Sequence, residues 1–180
     1  MMGTIIKCLK ELVEEQYGKE QWATIMTETG FEPGRIFVTA YDIDDDRAAE
    51  VLETAGTVLG LSPEHTADAF GAYWVNTYAP AVYPSIYSRF SDVRGFLLGL
   101  DEVHVQVTGW LANARPPRFS CQWTDDHTLV LVYSSHRKLI DLVVGLVRGL
   151  GTYYNEALSV TKLDHERVEV VFNLSQTPRA

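Results

Sequence analysis

Residues 118–134, RFSCQWTDDHTLVLVYS, decide the fold of this chain. Apolar and polar residues alternate over 118–124 and again over 127–134, which is the period of a strand with one buried face. Between the two segments lie Asp125 and Asp126, a residue type that is common in turns. The stretch therefore predicts an antiparallel β-hairpin.

The sequence after the hairpin changes its period. Residues 137–150 place apolar side chains at helical spacing, and we expect Gly149 and Gly151 to end this helix. Two more alternating segments, 157–163 and 167–174, predict a second pair of strands. The C-terminal part is therefore expected to be a β-β-α-β-β unit with an antiparallel sheet.

The N-terminal part has the periodicity of helices. Apolar residues recur three and four positions apart, and Ser62 before Pro63 is typical of a capped helix start. The predicted helices cover 4–17, 19–29, 46–59, 63 through Trp74 toward Pro80, and 92–112. No repeat or linker divides the chain, so we expect one α+β domain over 1–180, with the helical part packed on the sheet unit.

Composition restricts the classes of function. The 180 residues carry a formal net charge of −9, and the sequence pI is near 4.9. Phosphate binding needs clustered lysine and arginine, so this balance argues against nucleic acid and against anionic membranes. Cys8 and Cys121 are far apart, no signal-peptide pattern follows Met1, and no apolar run reaches membrane-spanning length. We expect a soluble, cytoplasmic protein.

One histidine has an apolar helical context. In the predicted helix 92–112, His104 lies on a face of apolar residues spaced three or four positions apart. These are Leu97, Leu100, Val107 and Leu111. His104 should point into the core, either as a neutral imidazole bonded to a carbonyl or as an axial ligand of iron. The other histidines occupy polar contexts and are expected on the surface: His65, His127, His136 and His165.

Hydrogen-bond donors gather where the hairpin gives way to the next helix. If the strand continues, Tyr133, Ser135 and Arg137 point to the same side, beside a helix N-terminus. A phenol, a hydroxyl and a guanidinium together suit one or two carboxylates. The alternative is a simple helix cap with a solvent-facing arginine.

These features follow one another in a recognisable order. They are Leu100-Asp101-Glu102-Val103-His104, then Arg115-Pro116-Pro117, then Tyr133-x-Ser135-x-Arg137. The same pattern includes Met1 to Ile5, Phe70-Gly71 before Trp74, and Gly145-Leu146. In this order the chain resembles the H-NOX (haem nitric oxide/oxygen-binding) domain, which is shared by bacterial sensors and soluble guanylate cyclase.

The resemblance implies a haem b cofactor, iron protoporphyrin IX, buried between the helical part and the sheet unit. His104 is then the proximal iron ligand, and Pro117 presses on the porphyrin and helps to distort it. Asp45 is expected to pair with Arg137 and fix its direction. The residues that the resemblance assigns to the two haem propionates are Tyr133, Ser135 and Arg137.

The resemblance also implies a distal pocket for gases. Family members that bind oxygen stably look to have a tyrosine at the position of Leu142, whereas leucine cannot donate a hydrogen bond. Bound oxygen gains from a donor and nitric oxide does not need one, so we expect NO and CO to bind and O2 to be excluded. Trp74 is either a competing N–H donor or a core aromatic. The expected pocket residues are Ile5, Leu9, Trp74, Leu142 and Leu146.

The implied function is a gas sensor that works as a two-state switch. Gas binding weakens the iron–histidine bond, and the helical part shifts against the sheet unit. The chain ends soon after its last predicted strand, so we expect a separate effector, either a histidine kinase or a cyclic-di-GMP enzyme.

Two other classes of function stay open on the residues alone. An enzyme could use His104 as a base beside Asp101 or Glu102, although no nucleophile motif such as GxSxG is present and the face is aliphatic. A haem-free module could use the same cavity for an apolar ligand such as a fatty acid, or for an interaction partner.

Overall fold

The structure is a computed structural model that describes residues 3–38, 43–109 and 115–173. The helices are α1 (Gly3–Gln16), α2 (Lys19–Glu28), α3 (Asp45–Leu59), α4 (Pro63–Tyr73), α5 (Ala79–Val82), α6 (Pro84–Tyr87), α7 (Val93–Thr108) and α8 (Ile140–Tyr153), and the strands are β1 (Arg118–Trp123), β2 (Thr128–Ser134), β3 (Leu158–Lys162) and β4 (Arg167–Phe172). The predicted α+β fold is confirmed. Some predicted features lie outside the described residues: Met1, residue 174, and Leu111 with the end of the helix predicted to reach 112.

The sheet has the strand order β1-β2-β4-β3, and every neighbouring pair is antiparallel. The predicted hairpin forms with Cys121 opposite Leu131, and Leu131 pairs in turn with Val168. Alternation places Leu129 and Leu131 on the buried face, where they share a core with Val147 of α8. The sheet unit therefore packs around the helix that connects its two strand pairs.

Helix α8 begins later than predicted. The apolar period suggested a start at residue 137, but the first helical residue is Ile140. Lys138 has a φ of 54°, in the left-handed region, so the chain cannot enter a right-handed helix before it. The donors after β2 consequently lie in a turn and not in the first turn of a helix.

Helix α8 also ends later than predicted, at Tyr153, so the expectation that Gly149 and Gly151 terminate it was wrong. A Cβ at Gly149 would lie 2.8 Å from the carbonyl oxygen of Gly71 in α4, and one at Gly145 would overlap the backbone of α4. These two glycines permit close packing of two helices, and the buried apolar face offsets their low helix propensity.

Helix α4 starts as predicted and then changes its winding. The Ser62 side chain accepts a hydrogen bond of 3.2 Å from His65 N, and Pro63 occupies the first turn. The predicted continuation toward Pro80 is interrupted by a π-helical turn over Trp74–Tyr78, after which α5 begins. Such turns widen a helix locally and place side chains that a regular helix would place elsewhere.

The buried apolar residues form two clusters. The first joins α1 to α4 around Trp22 and Phe70, and the second joins α7, α8 and the sheet around Leu97 and Leu131. Trp74, in the π-helical turn, packs against both clusters. The candidate site lies where the two clusters meet. None of the described helices combines the length and the apolar character needed to cross a membrane.

Candidate functional site

A mainly apolar cavity of about 400 Å³ lies between the two clusters. Predicted site residues that line it are Ile5, Trp74, His104, Pro117, Tyr133, Arg137, Leu142 and Leu146. Two predicted residues are not part of its wall: Leu9 is 1% exposed within the first cluster, and Ser135 lies in the turn after β2. The size and apolar lining are typical of small-molecule and cofactor sites.

His104 presents one nitrogen of its ring for a ligand. Its Nδ1 lies 2.9 Å from the carbonyl oxygen of Leu100, one turn earlier in α7. A carbonyl oxygen can only accept, so Nδ1 carries the proton and Nε2 keeps its lone pair. Burial lowers the pKa of His104, against the opposing effects of the Leu100 bond and of Asp101. The imidazole is therefore neutral, which is the form that binds a metal.

Helix α7 is tied to the sheet unit close to His104. The Asp101 carboxylate accepts hydrogen bonds from Arg118 Nε (2.8 Å), Arg118 Nη2 (2.7 Å) and Phe119 N (2.9 Å). The Arg118 bonds and the Phe119 bond lower the pKa of Asp101 to about 2. The ring of Phe119 lies 4.9 Å from that of His104. These contacts join the turn of α7 that carries the histidine to strand β1.

The three predicted carboxylate-binding residues do not share a strand, because β2 ends at Ser134. Tyr133 Oη accepts from Leu139 N at 3.3 Å, and Ser135 Oγ accepts from Arg137 N at 3.3 Å. Each hydroxyl uses its oxygen to hold the turn, so its proton remains to be donated. The turn thus keeps the donor chemistry that the sequence predicted, in a different backbone conformation.

Arg137 is held from two sides. Its Nε donates to Asp45 Oδ1 at 2.7 Å, which confirms the predicted pair, and its Nη1 donates to the Arg115 carbonyl at 2.9 Å. His136 Nε2 lies 2.6 Å from the other carboxylate oxygen of Asp45. Burial raises the pKa of Asp45, but the hydrogen bonds from Arg137 and His136 outweigh it and hold the pKa well below its usual range. This cluster joins α3 to the turn after β2.

Leu142 and Leu146, one turn apart on α8, line the cavity. Trp74 stacks on Phe70 with ring centroids 5.8 Å apart, and Ile5 lines the wall from α1. The side chains of Ile5, Leu142 and Leu146 carry no hydrogen-bond donor, whereas the Trp74 indole carries one.

Sequence reasoning missed several residues of the site. Thr4, Tyr83 and Phe119 line the cavity, and His136 joins the Asp45 pair. The alternation of β1 could have placed Phe119 on the buried face, but no local signal marks the others, because their positions depend on tertiary packing.

Comparison with known protein families gives a match over most of the chain. A family described as haem-NO-binding matches residues 2–162 of the chain. The chain belongs to this family, the H-NOX domains. Structural similarity extends over nearly all of the chain.

Three relatives illustrate the similarity. The soluble guanylate cyclase gcy-35 of Caenorhabditis elegans is 27% identical over 193 aligned residues, which cover 100% of this chain and 28% of the cyclase. The chain thus spans about a quarter of the length of that relative. A Cs H-NOX mutant with an unnatural amino acid has a TM-score of 0.83 at 25% identity, covering 96% of each chain. An oxygen-binding H-NOX domain related to soluble guanylate cyclases has a TM-score of 0.80 at 25% identity, covering 96% of this chain and 95% of that one.

The residues of the cavity fit the haem that H-NOX domains bind. An apolar wall suits the porphyrin, the neutral imidazole of His104 suits iron, and Arg137 brings a guanidinium to the cavity for the carboxylates. Haem would also explain why a half-buried histidine faces an apolar space.

Proposed function

We propose that this chain is a haem-based sensor of nitric oxide and not a catalyst, with residues 1–180 as one domain. His104 Nε2 is the iron ligand, and this residue carries the proposal: it is neutral, lines an apolar cavity and has its Nδ1 proton committed to Leu100. When bound, haem b supplies the ferrous iron to which a diatomic gas binds.

The turn after β2 holds the two propionates in this proposal. Tyr133 and Ser135 donate their hydroxyl protons, and Arg137 contributes its guanidinium. Asp45 and the Arg115 carbonyl keep Arg137 directed at the cavity. Pro117, which lines the cavity, would press on the ring.

The gas preference follows from the apolar wall in this proposal. Leu142, Leu146 and Ile5 offer no hydrogen-bond donor. Leu9 does not line the cavity but packs in the first cluster, next to Ile5 on α1. Bound O2 needs a donor to be held stably, whereas NO and CO do not. We therefore expect NO and CO to bind and O2 to be excluded.

Helix α7 transmits the signal in this proposal. Asp101 ties α7 to β1. The position of α7 therefore depends on this contact with the sheet and on the bond between His104 and the iron. When gas binding loosens the hold on His104, α7 shifts, and a partner that contacts both clusters has different affinities for the two states. The partner is a separate histidine kinase or cyclic-di-GMP enzyme in the cytoplasm.

Absorption spectra of the purified, reduced protein test the proposal under argon, in air and with NO. We expect a Soret band that is unchanged by air and shifts with NO. A stable spectrum of an oxygen-bound form would refute the gas preference alone. Absence of a Soret band after haem is supplied would refute the sensor and favour a haem-free module for apolar ligands.

The role of His104 is tested by the variant His104→Gly. We expect loss of the axial ligand and its recovery when imidazole is added, because free imidazole can occupy the space of the side chain. His165→Gly removes an exposed histidine as the matched control and should leave the spectrum unchanged. If imidazole has no effect on the His104→Gly spectrum, His104 is not the iron ligand.

A further inference from the structure

We propose that Thr4, oriented by Tyr78, donates the hydrogen bond that a diatomic gas receives in the cavity. The inference rests on the proposed gas-sensing function and adds a residue that tunes it. Thr4 lies in the first turn of α1, is 3% exposed and lines the cavity. Its Oγ1 is 3.2 Å from the phenol oxygen of Tyr78, which ends the π-helical turn.

The hydroxyl of Thr4 is not used by its own helix. Helical threonines commonly donate to the carbonyl four residues earlier. In this chain that bond is made by Thr24, Thr27, Thr57, Thr66 and Thr108, and by Thr29 at a helix end. Helix α1 begins at Gly3, so no helical carbonyl precedes Thr4 by four residues. The Thr4 proton is therefore available for another acceptor.

The pair has two hydroxyl protons and one contact between them. Burial, which the Thr4 bond partly opposes, raises the pKa of Tyr78, so the phenol keeps its proton. Either oxygen could donate at this distance, and we take Tyr78 as the donor and Thr4 as the acceptor because a phenol is a stronger donor than an aliphatic hydroxyl. Within the described residues neither hydroxyl has another partner. The proton that remains is that of Thr4, and of the two residues Thr4 is the one that lines the cavity.

The surroundings make this proton effective. Other residues of the cavity wall include Ile5, Phe70 and Leu142, whose side chains carry no hydrogen-bond donor. A hydrogen bond in an apolar cavity is stronger than the same bond in water. An aliphatic hydroxyl remains a weaker donor than a phenol, so Thr4 tunes bound CO and NO without giving stable oxygen binding.

The test is the infrared C–O stretch and the CO dissociation rate of the reduced, haem-loaded protein. A donor to the CO oxygen increases back-donation from iron and lowers the stretching frequency. In Thr4→Val we expect the band to move to higher frequency and CO to dissociate about fivefold faster, the effect of one lost hydrogen bond. Thr4→Ser keeps the hydroxyl and should restore both values. Tyr78→Phe frees the Thr4 hydroxyl to rotate, so its band should broaden.

Thr24→Val is the matched control, because the Thr24 hydroxyl donates within its own helix, away from the cavity. Trp74→Phe tests the competing indole N–H on the cavity wall. An unchanged band in Thr4→Val, or a band that responds to Trp74→Phe instead, would overturn the assignment of Thr4. If Thr4→Val does not fold, an unchanged, sharp band in Tyr78→Phe overturns it. The Soret band separates the two proposals: its absence from the unaltered protein refutes the sensor itself, whereas its presence with an unresponsive C–O band refutes the role of Thr4 alone.

Discussion

At the scale of single residues, Leu142 gives the most direct test of gas preference. Leu142→Tyr would bring a phenol from α8 into the cavity, and a donor near bound oxygen stabilises its partial negative charge. We expect this variant to keep an oxygen-bound spectrum in air. Leu142→Phe has nearly the same size without the hydroxyl and should not. Equal behaviour of the two variants would show that the change acts through cavity shape and not through a hydrogen bond.

Asp45 gives a second residue-scale prediction, on stability. Asp45→Ala leaves Arg137 and His136 without their shared partner, and we expect unfolding to cost about 2 kcal/mol less at neutral pH. The folded pKa of Asp45 lies below the unfolded value of about 3.9. Its contribution is therefore present above pH 4 and is lost as the pH falls toward the folded pKa.

Urea unfolding at several pH values measures this contribution. The difference between the unaltered protein and Asp45→Ala should decrease below pH 4. Asp126→Asn, in the exposed turn of the hairpin, is the matched control and should stay close to the unaltered protein. A difference that is constant with pH would contradict the role of the Asp45 carboxylate.

Residue chemistry was more predictable than residue position. His104 could be placed on an apolar face because helical spacing is local, and the Asp45–Arg137 pair followed from the family resemblance. Ser135 was expected beside Tyr133 through strand alternation, but the strand ends first. His136 was predicted only as a surface residue, because its contact with α3 spans a large sequence separation.

At the scale of elements, the contact between α4 and α8 depends on glycine. A Cβ at Gly145 would overlap the backbone of Ala67, so Gly145→Ala should destabilise the fold by about 2 kcal/mol or more, although alanine is the better helix former. Gly34→Ala is the control, since nothing lies within 4 Å of a Cβ there. Thermal unfolding measures both. Equal midpoints would show that the helices can separate without cost.

Element boundaries show which information is local. The hairpin and α7 were predictable, because alternation and helical spacing are carried by neighbouring residues. The start of α8 was not, since Lys138 adopts a left-handed backbone that apolar spacing does not signal. The π-helical turn over Trp74–Tyr78 has no breaker before it in sequence. We attribute the π-helical winding to tertiary packing, since Trp74 contacts both apolar clusters.

At the scale of the whole molecule, two clusters share a cavity but are joined unequally. The backbones of α4 and α8 are in direct contact around Gly71 and Gly145, whereas α7 reaches the sheet through side chains of Asp101 and Arg118. The close backbone contact makes α4 and α8 move together, whereas the side-chain contact allows α7 to move relative to the sheet. The part that yields when the hold on His104 changes should therefore be α7.

Amide hydrogen exchange of the reduced, haem-loaded protein with and without NO measures this asymmetry. We expect NO to speed exchange in the C-terminal half of α7, near Thr108, while α4 and α8 stay protected around Gly145. The His104→Gly protein with imidazole is the control: its iron ligand is no longer part of α7, so NO should leave exchange in α7 unchanged. A response centred on α4 and α8, or one that persists in the control, would mean that NO binding moves the cavity wall formed by α4 and α8 and not α7. The partner surface should then be sought on that side of the molecule.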